Sequence, residues 1–258
     1  MRAAHLTGPP VVLVAHGSRD PRAAEATRAL ARAVAAARPG VPVLPSWLDH
    51  TEPGPAVVLR ELAAAGRSRA VLVPLLLTAA YHRKVDIPAA VAAGGASIDV
   101  RVTEVLGPAD GVVDARLLGG LRRRLAEAGP GGYDALVLAA AGTRDPRARG
   151  SVGRVAAALG AELGVRCRVS YASAAPPAVN VAVAKLRAGG AGRVAVAAYF
   201  LAPGLFHDGV VAAAGGAGAV GVADPLTDLP ELAELVLRRV DDASAGWAGA
   251  VTDVAAVR

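Results

Sequence analysis

Cysteine and methionine each occur once in the 258 residues, lysine twice, and aromatic side chains make up only 3%. A lone Cys167 excludes an internal disulfide, a Cys-x-x-C pair and a thiolate metal cluster, and it fits a reducing, cytoplasmic setting. So few rings leave the core to Ala, Val and Leu, in a chain that is 53% hydrophobic. The formal charge is +6, yet almost all of the cations are arginines scattered along the chain, with no basic run interleaved with aromatics. That argues against a nucleic-acid partner and for a small polyanionic ligand. Long hydrophobic runs are missing too. The longest, "AVLVPLLLTAAY", is broken by Pro74 and is too short to cross a bilayer, and "MRAAHLTGPP" holds no apolar signal core. The expectation is a soluble protein with no membrane partner.

What is present is an alternation of short aliphatic runs and helical patterns. Val11 to Ala15, Val41 to Trp47, Ala70 to Leu76 and Ser97 to Val102 read as strands buried on both faces. Pro21 to Ala37, Pro55 to Ala65, Val85 to Ala93 and Val112 to Ala128 read as helices. Asp20 followed by Pro21 is a helix start, a capping side chain and then proline at the first helical position. Alternation of this kind implies an α/β fold with a parallel sheet, helices on both faces and right-handed crossovers.

The pattern then repeats. His16-Gly17-Ser18-Arg19-Asp20-Pro21 aligns with Ala141-Gly142-Thr143-Arg144-Asp145-Pro146, an offset of 141 − 16 = 125. "YHRKV" at Tyr81 aligns with "FHDGV" at Phe206, and 207 − 82 is again 125. Two matches at one offset, close to half the chain, predict two tandem parallel-sheet domains related by internal duplication. They divide as 1–128, which carries the site, and 129–258, a degenerate copy, with the join in "EAGPGGYD". The second copy reads as shorter after His207, and the tail beyond Asp241 as a frayed end.

Ends of parallel strands line the ligand crevice of such folds. His16 ends the first strand, Glu52 follows the second and His82 follows the third, a donor set suited to iron(II), cobalt(II) or zinc(II). Each histidine also has a plainer reading, His16 as a residue that bonds its turn and His82 as an ordinary loop position. The second copy weighs against the first of these, because it keeps Gly142, Arg144, Asp145 and Pro146 while placing Ala141 where His16 would be. The turn is therefore buildable without imidazole, and Arg19, Asp20 and Pro21 read as its structural part. His50, Arg83 and Lys84 remain open as substrate contacts. The turn "AHGSRDP" lacks both the G-x-G-x-x-G of a dinucleotide site and the G-x-x-x-x-G-K-[ST] of a P-loop. Ala15 stands where a phosphohistidine enzyme would want arginine. No G-x-S-x-G elbow occurs, and Cys167 lies within the strand "VRCRVSYA".

"VVLVAHGSRDPRA", "DHTEPGPAVVLREL" and "AVLVPLLLTAAYHRKVDIPAAV" together resemble the sirohydrochlorin chelatase family of class II tetrapyrrole chelatases, across essentially the whole first half. The second half resembles the same domain with weaker motifs, as in long members of the family, where two fused copies imitate the homodimer of short ones. The resemblance implies a lyase that inserts a divalent metal into sirohydrochlorin. Iron(II) on the way to sirohaem is favoured, with cobalt(II) for cobalamin close behind. It makes His16 the metal ligand and proton acceptor, His82 the second metal ligand, and Glu52 a substrate or metal contact with a catalytic role. Leu77, Thr78, Ala79, Ala80, Tyr81 and His82 become a wall of the macrocycle pocket. The metal is a substrate, no permanently bound cofactor is implied, and the expected state is a monomer with an internal pseudo-dimer. Ala141, together with Pro177 at 52 + 125, implies that the second copy is silent, with the role of His207 left open. A metal or tetrapyrrole carrier without catalysis is the alternative.

Overall fold

Val11 to Val14 and Ala135 to Ala140, at the start of the two copies, are withdrawn from solvent along their whole length. Strands buried on both faces belong at the centre of parallel sheets, and this is where the chain puts them. The computed structural model describes residues 8–79, 85–108, 111–129 and 131–252, with side chains as far as Trp247. The first copy runs β1 (Val11–Ala15), α1 (Pro21–Ala37), β2 (Val43–Trp47), α2 (Pro55–Ala64), β3 (Arg69–Pro74), α3 (Asp86–Gly94), β4 (Asp99–Val102) and α4 (Ala115–Glu127). The second runs β5 (Ala135–Ala140), α5 (Pro146–Leu163), β6 (Arg166–Tyr171), α6 (Val179–Ala188), β7 (Val194–Tyr199), α7 (Leu205–Gly216), β8 (Gly221–Val222) and α8 (Pro230–Thr252). Among the described residues the strands form two four-stranded parallel sheets, ordered β2-β1-β3-β4 and β6-β5-β7-β8. This is the duplicated α/β architecture expected from the sequence.

Helix starts follow the residues that encode them. Asp20 Oδ1 accepts from the Arg22 amide at 2.9 Å and Asp145 Oδ1 from the Arg147 amide at 2.8 Å, each ahead of a proline at the first helical position. Asp114 caps α4 in the same way, so that helix begins at Ala115 and not at Val112. β3 stops at Pro74 because the Leu76 amide turns back to the Pro74 carbonyl. β2 starts two residues later than its apolar run, after Pro42.

α2 and α3 cover one face of the first sheet with Val58, Leu59, Leu62 and Ile87, and α6 and α7 cover the corresponding face of the second. The other two faces share one continuous core, filled by α1, α4, α5 and α8. Here the copies exchange their last helices. α4, the end of the first copy, packs on β7 of the second sheet, whereas α8 packs on β3, β4 and α1 of the first. Arg38 and Asp241 tie α1 to α8 at 2.6 Å, and Arg239 of α8 donates to the Val105 and Gly107 carbonyls.

The tail beyond Asp241 corrects the expectation of a frayed end: α8 is helical to Thr252. Trp247 is buried, donates its indole N–H to Asp99 at 2.6 Å and lies between Arg69 and Arg101. Sequence inspection of an alanine-rich segment does not reveal that another sheet waits to receive it. The stretch from β7 to β8 is indeed shorter than its counterpart, and β8 is reduced to two residues.

Candidate active site

His16 is the first residue past β1, and its position follows from a short chain of backbone constraints. The Leu48 amide donates to the Ala15 carbonyl and the Asp49 amide to the His16 carbonyl at 2.9 Å, which continues the β1–β2 pairing beyond both strands. Gly17 adopts φ +94°, and a Cβ there would overlap the Asp49 carbonyl oxygen, so the turn requires glycine. Ser18 Oγ then accepts from the Asp20 amide, and α1 begins. The imidazole is left 51% exposed, with Nδ1 3.9 Å from Asp49 Oδ2. The second copy repeats the turn with Gly142 at φ +102°, against the Ser173 carbonyl. Ser173 Oγ donates to the Ala141 carbonyl there.

These two turns face each other across a cleft of about 550 Å³ between the halves. On one side it is lined by residues at the ends of β1, β2 and β3 and by Ala23, Ala26, Thr27 and Leu30, one face of α1 at helical spacing. On the other side stand Ala140 to Thr143, Tyr171 and Tyr199 to His207. In each sheet, outer-face and inner-face crossovers diverge at the central strand, so the cleft lies where both sheets reverse their winding.

Of the residues singled out from the sequence, His16, Leu77 and Thr78 line this cleft. His50, at φ +61°, lines it too. Glu52 and Ala79 are exposed and are not among the lining residues. Glu52 Oε2 instead accepts from the Gly54 amide at 2.9 Å, at the entry to α2. Ala80, Tyr81, His82, Arg83 and Lys84 lie outside the described residues. Among those described, no three His, Cys, Asp or Glu side chains group closely enough to hold a metal ion.

His207 is buried, in the first turn of α7. Its Nε2 lies 3.0 Å from the Ala223 carbonyl, which only accepts, so Nε2 carries the proton; the ring meets Phe200 edge-on at 5.9 Å. Cys167 is away from the cleft, and burial pushes its thiol up to about 12, which disables it as a nucleophile. The counterpart of Glu52 also needs correction. The Trp47 amide donates to Pro53 and the Tyr171 amide to Pro177, so here the offset is 171 − 47 = 124 and the matching residue is Pro176, not Pro177. One residue is lost between helix and second strand, which a fixed offset cannot register.

Sequence reasoning missed Asp49, beside His16, and the wall supplied by the second copy. The Tyr199 hydroxyl reaches from β7 to the Leu77 carbonyl at 3.1 Å, and burial pushes that phenol up, so it remains a neutral donor. At the mouth, Arg22 of α1 bonds both Asp20 and Asp208 of α7 at 2.6 Å, joining the halves. Leu205 and Phe206 stand exposed on that same turn of α7.

Solved structures share this fold. SirB from Bacillus subtilis with Fe3+ matches at 21% identity and TM-score 0.79, over 94% of this chain and 98% of that one. The sirohydrochlorin chelatase SirB from Bacillus subtilis subspecies spizizenii in complex with cobalt matches at 20% identity and TM-score 0.77, over 94% and 98%. CbiX, described as the terminal enzyme for the biosynthesis of sirohaem in denitrifying bacteria, matches at 20% identity and TM-score 0.66, over 91% and 99%. No curated protein sequence matches the chain. No described helix is long and apolar enough to cross a membrane. The CbiX family model matches twice, over residues 10–127 and 135–243. With two repeats of it in tandem, this chain belongs to the CbiX family.

Proposed function

We propose that this protein is a sirohydrochlorin chelatase that inserts a divalent metal, iron(II) in preference to cobalt(II), into the macrocycle. The observation that carries the reading is His16, half-exposed at the end of β1 in an apolar cleft walled by both halves of a CbiX repeat pair. Insertion strips water from the ion, forms bonds from the metal to the ring nitrogens and releases two pyrrole protons. A neutral imidazole, with a reference pKa of about 6.5, holds a borderline cation without trapping it and accepts a proton at physiological pH. Asp49 places a carboxylate oxygen 3.9 Å from Nδ1. His82 is assigned as the second metal ligand. For Glu52, a role on the metal requires its carboxylate to leave the Gly54 amide. The second copy, with Ala141 and Pro176 in place of His16 and Glu52, takes no part in the chemistry.

The test is anaerobic absorbance spectroscopy with sirohydrochlorin and either metal, run beside the His16→Ala variant. Turnover well above the metal-only rate is expected, iron(II) outpacing cobalt(II). The variant should retain its fold, since Ala141 occupies the same turn, and lose about 10²-fold or more of the rate. Conversion that stops at one equivalent would make the protein a carrier.

A further inference from the structure

We infer that Arg19 anchors a carboxylate of the macrocycle and so sets its register over His16; the inference rests on the chelatase reading. Among the described lining residues of the cleft, Arg19 is the one side chain of permanent charge, and no Asp, Glu or Lys lines it. The other walls are apolar or carry hydroxyls and imidazoles. Arg19 is exposed, and its guanidinium makes no hydrogen bond or ion pair with any described residue.

Its neighbours are all committed. Asp20 caps α1, Pro21 opens it, and Arg22 bridges Asp20 to Asp208 across the mouth. The structural role expected of "SRDP" therefore accounts for Asp20 and Pro21 and leaves the arginine unexplained. Arg144, its counterpart in the second copy, does not line the cleft. Arg19 stands on the wall that carries His16, three residues away in sequence, with no partner among the described residues.

A guanidinium presents a planar fork that takes a carboxylate through two parallel N–H···O bonds, fixing orientation as well as position. In a cleft whose described lining is mostly apolar and includes no carboxylate, that pairing is screened less than at an open surface. Sirohydrochlorin carries carboxylates around its rim, so one rim carboxylate on Arg19 would present the ring nitrogens to His16 at a fixed rotation.

The experiment titrates the full chain with metal-free sirohydrochlorin and, in dilute detergent, with its fully esterified form, for wild type, Arg19→Gln and Arg19→Lys. Arg19→Gln should weaken binding of the free acid and raise its KM about tenfold, with kcat much less affected and the far-ultraviolet spectrum unchanged. Arg19→Lys should recover part of the loss. Binding of the ester and of cobalt(II) alone should be the same in all three, because the effect lies in the pairing of the two charges. If wild type turns over and Arg19→Gln binds the free acid within twofold of it, or loses the ester equally, the anchor is refuted while the chelatase reading stands. If wild type binds neither macrocycle form, the chelatase reading falls and Arg19 falls with it.

Discussion

At the scale of single residues, the two copies act as an internal control. His16 and Ala141 sit on the same turn, each followed by a left-handed glycine pressed against a carbonyl from the neighbouring strand end. The glycine is required by the fold, whereas the turn is built with either histidine or alanine before it. Gly17→Ala is accordingly expected to cost about 2 kcal/mol or more of stability, readable in a urea titration, because both the dihedral and the close approach forbid a methyl group. Unchanged stability would mean that the turn relaxes more freely than this packing allows. His16 is legible at the cleft because strand ends in parallel sheets line the ligand crevice, and Leu77 and Thr78 through the family resemblance; all three line it. Asp49 is not legible, since what brings it to His16 is a pair of backbone hydrogen bonds past the ends of β1 and β2 that leave no mark in residue type. Arg19 reads as structural because Arg-Asp-Pro recurs in both copies; only the contacts separate it from the cap, Asp20.

Elements were largely readable where local chemistry marks their ends. β1 and α1 fall where the aliphatic run and the Asp-Pro start put them, and the remaining first-copy elements shift by a few residues at most, for capping or proline reasons. What could not be read is how elements of different copies meet. The loop after β3 is one example. It is held by the Leu106 amide on Leu76 and by the Tyr199 hydroxyl on Leu77, a partner 122 residues away. Tyr199→Phe should lower stability by about 1 to 2 kcal/mol, the cost of a lost buried hydrogen bond. It should also speed amide exchange across Leu75 to Ala79 while leaving β5 protected. Uniformly faster exchange throughout the second sheet would instead indicate that the hydroxyl supports its own strand.

For the whole molecule, duplication was visible in the 125-residue offset, but the exchange of α4 and α8 was not. A helix pattern specifies an apolar face and not the sheet that receives it. Leu232, Leu235, Val236, Val240 and Trp247 of α8 are all buried in the joint core or against the first sheet. Each such side chain contributes about 1.5 to 3 kcal/mol by burial, so together they rival the net stability of an ordinary domain. A fragment ending after Gly129 is therefore expected to be a dimer by light scattering, each copy lending its α4 to the other's sheet. A folded, monomeric fragment would show that the exchange is dispensable. The crossed helices also bear on how such a chain changes over generations. Once two copies lend each other a helix within one polypeptide, each needs a partner for its shape, yet under the proposed function only one needs the chemistry. On the reading proposed above, Ala141 and Pro176 then cost nothing, in a half needed for its shape.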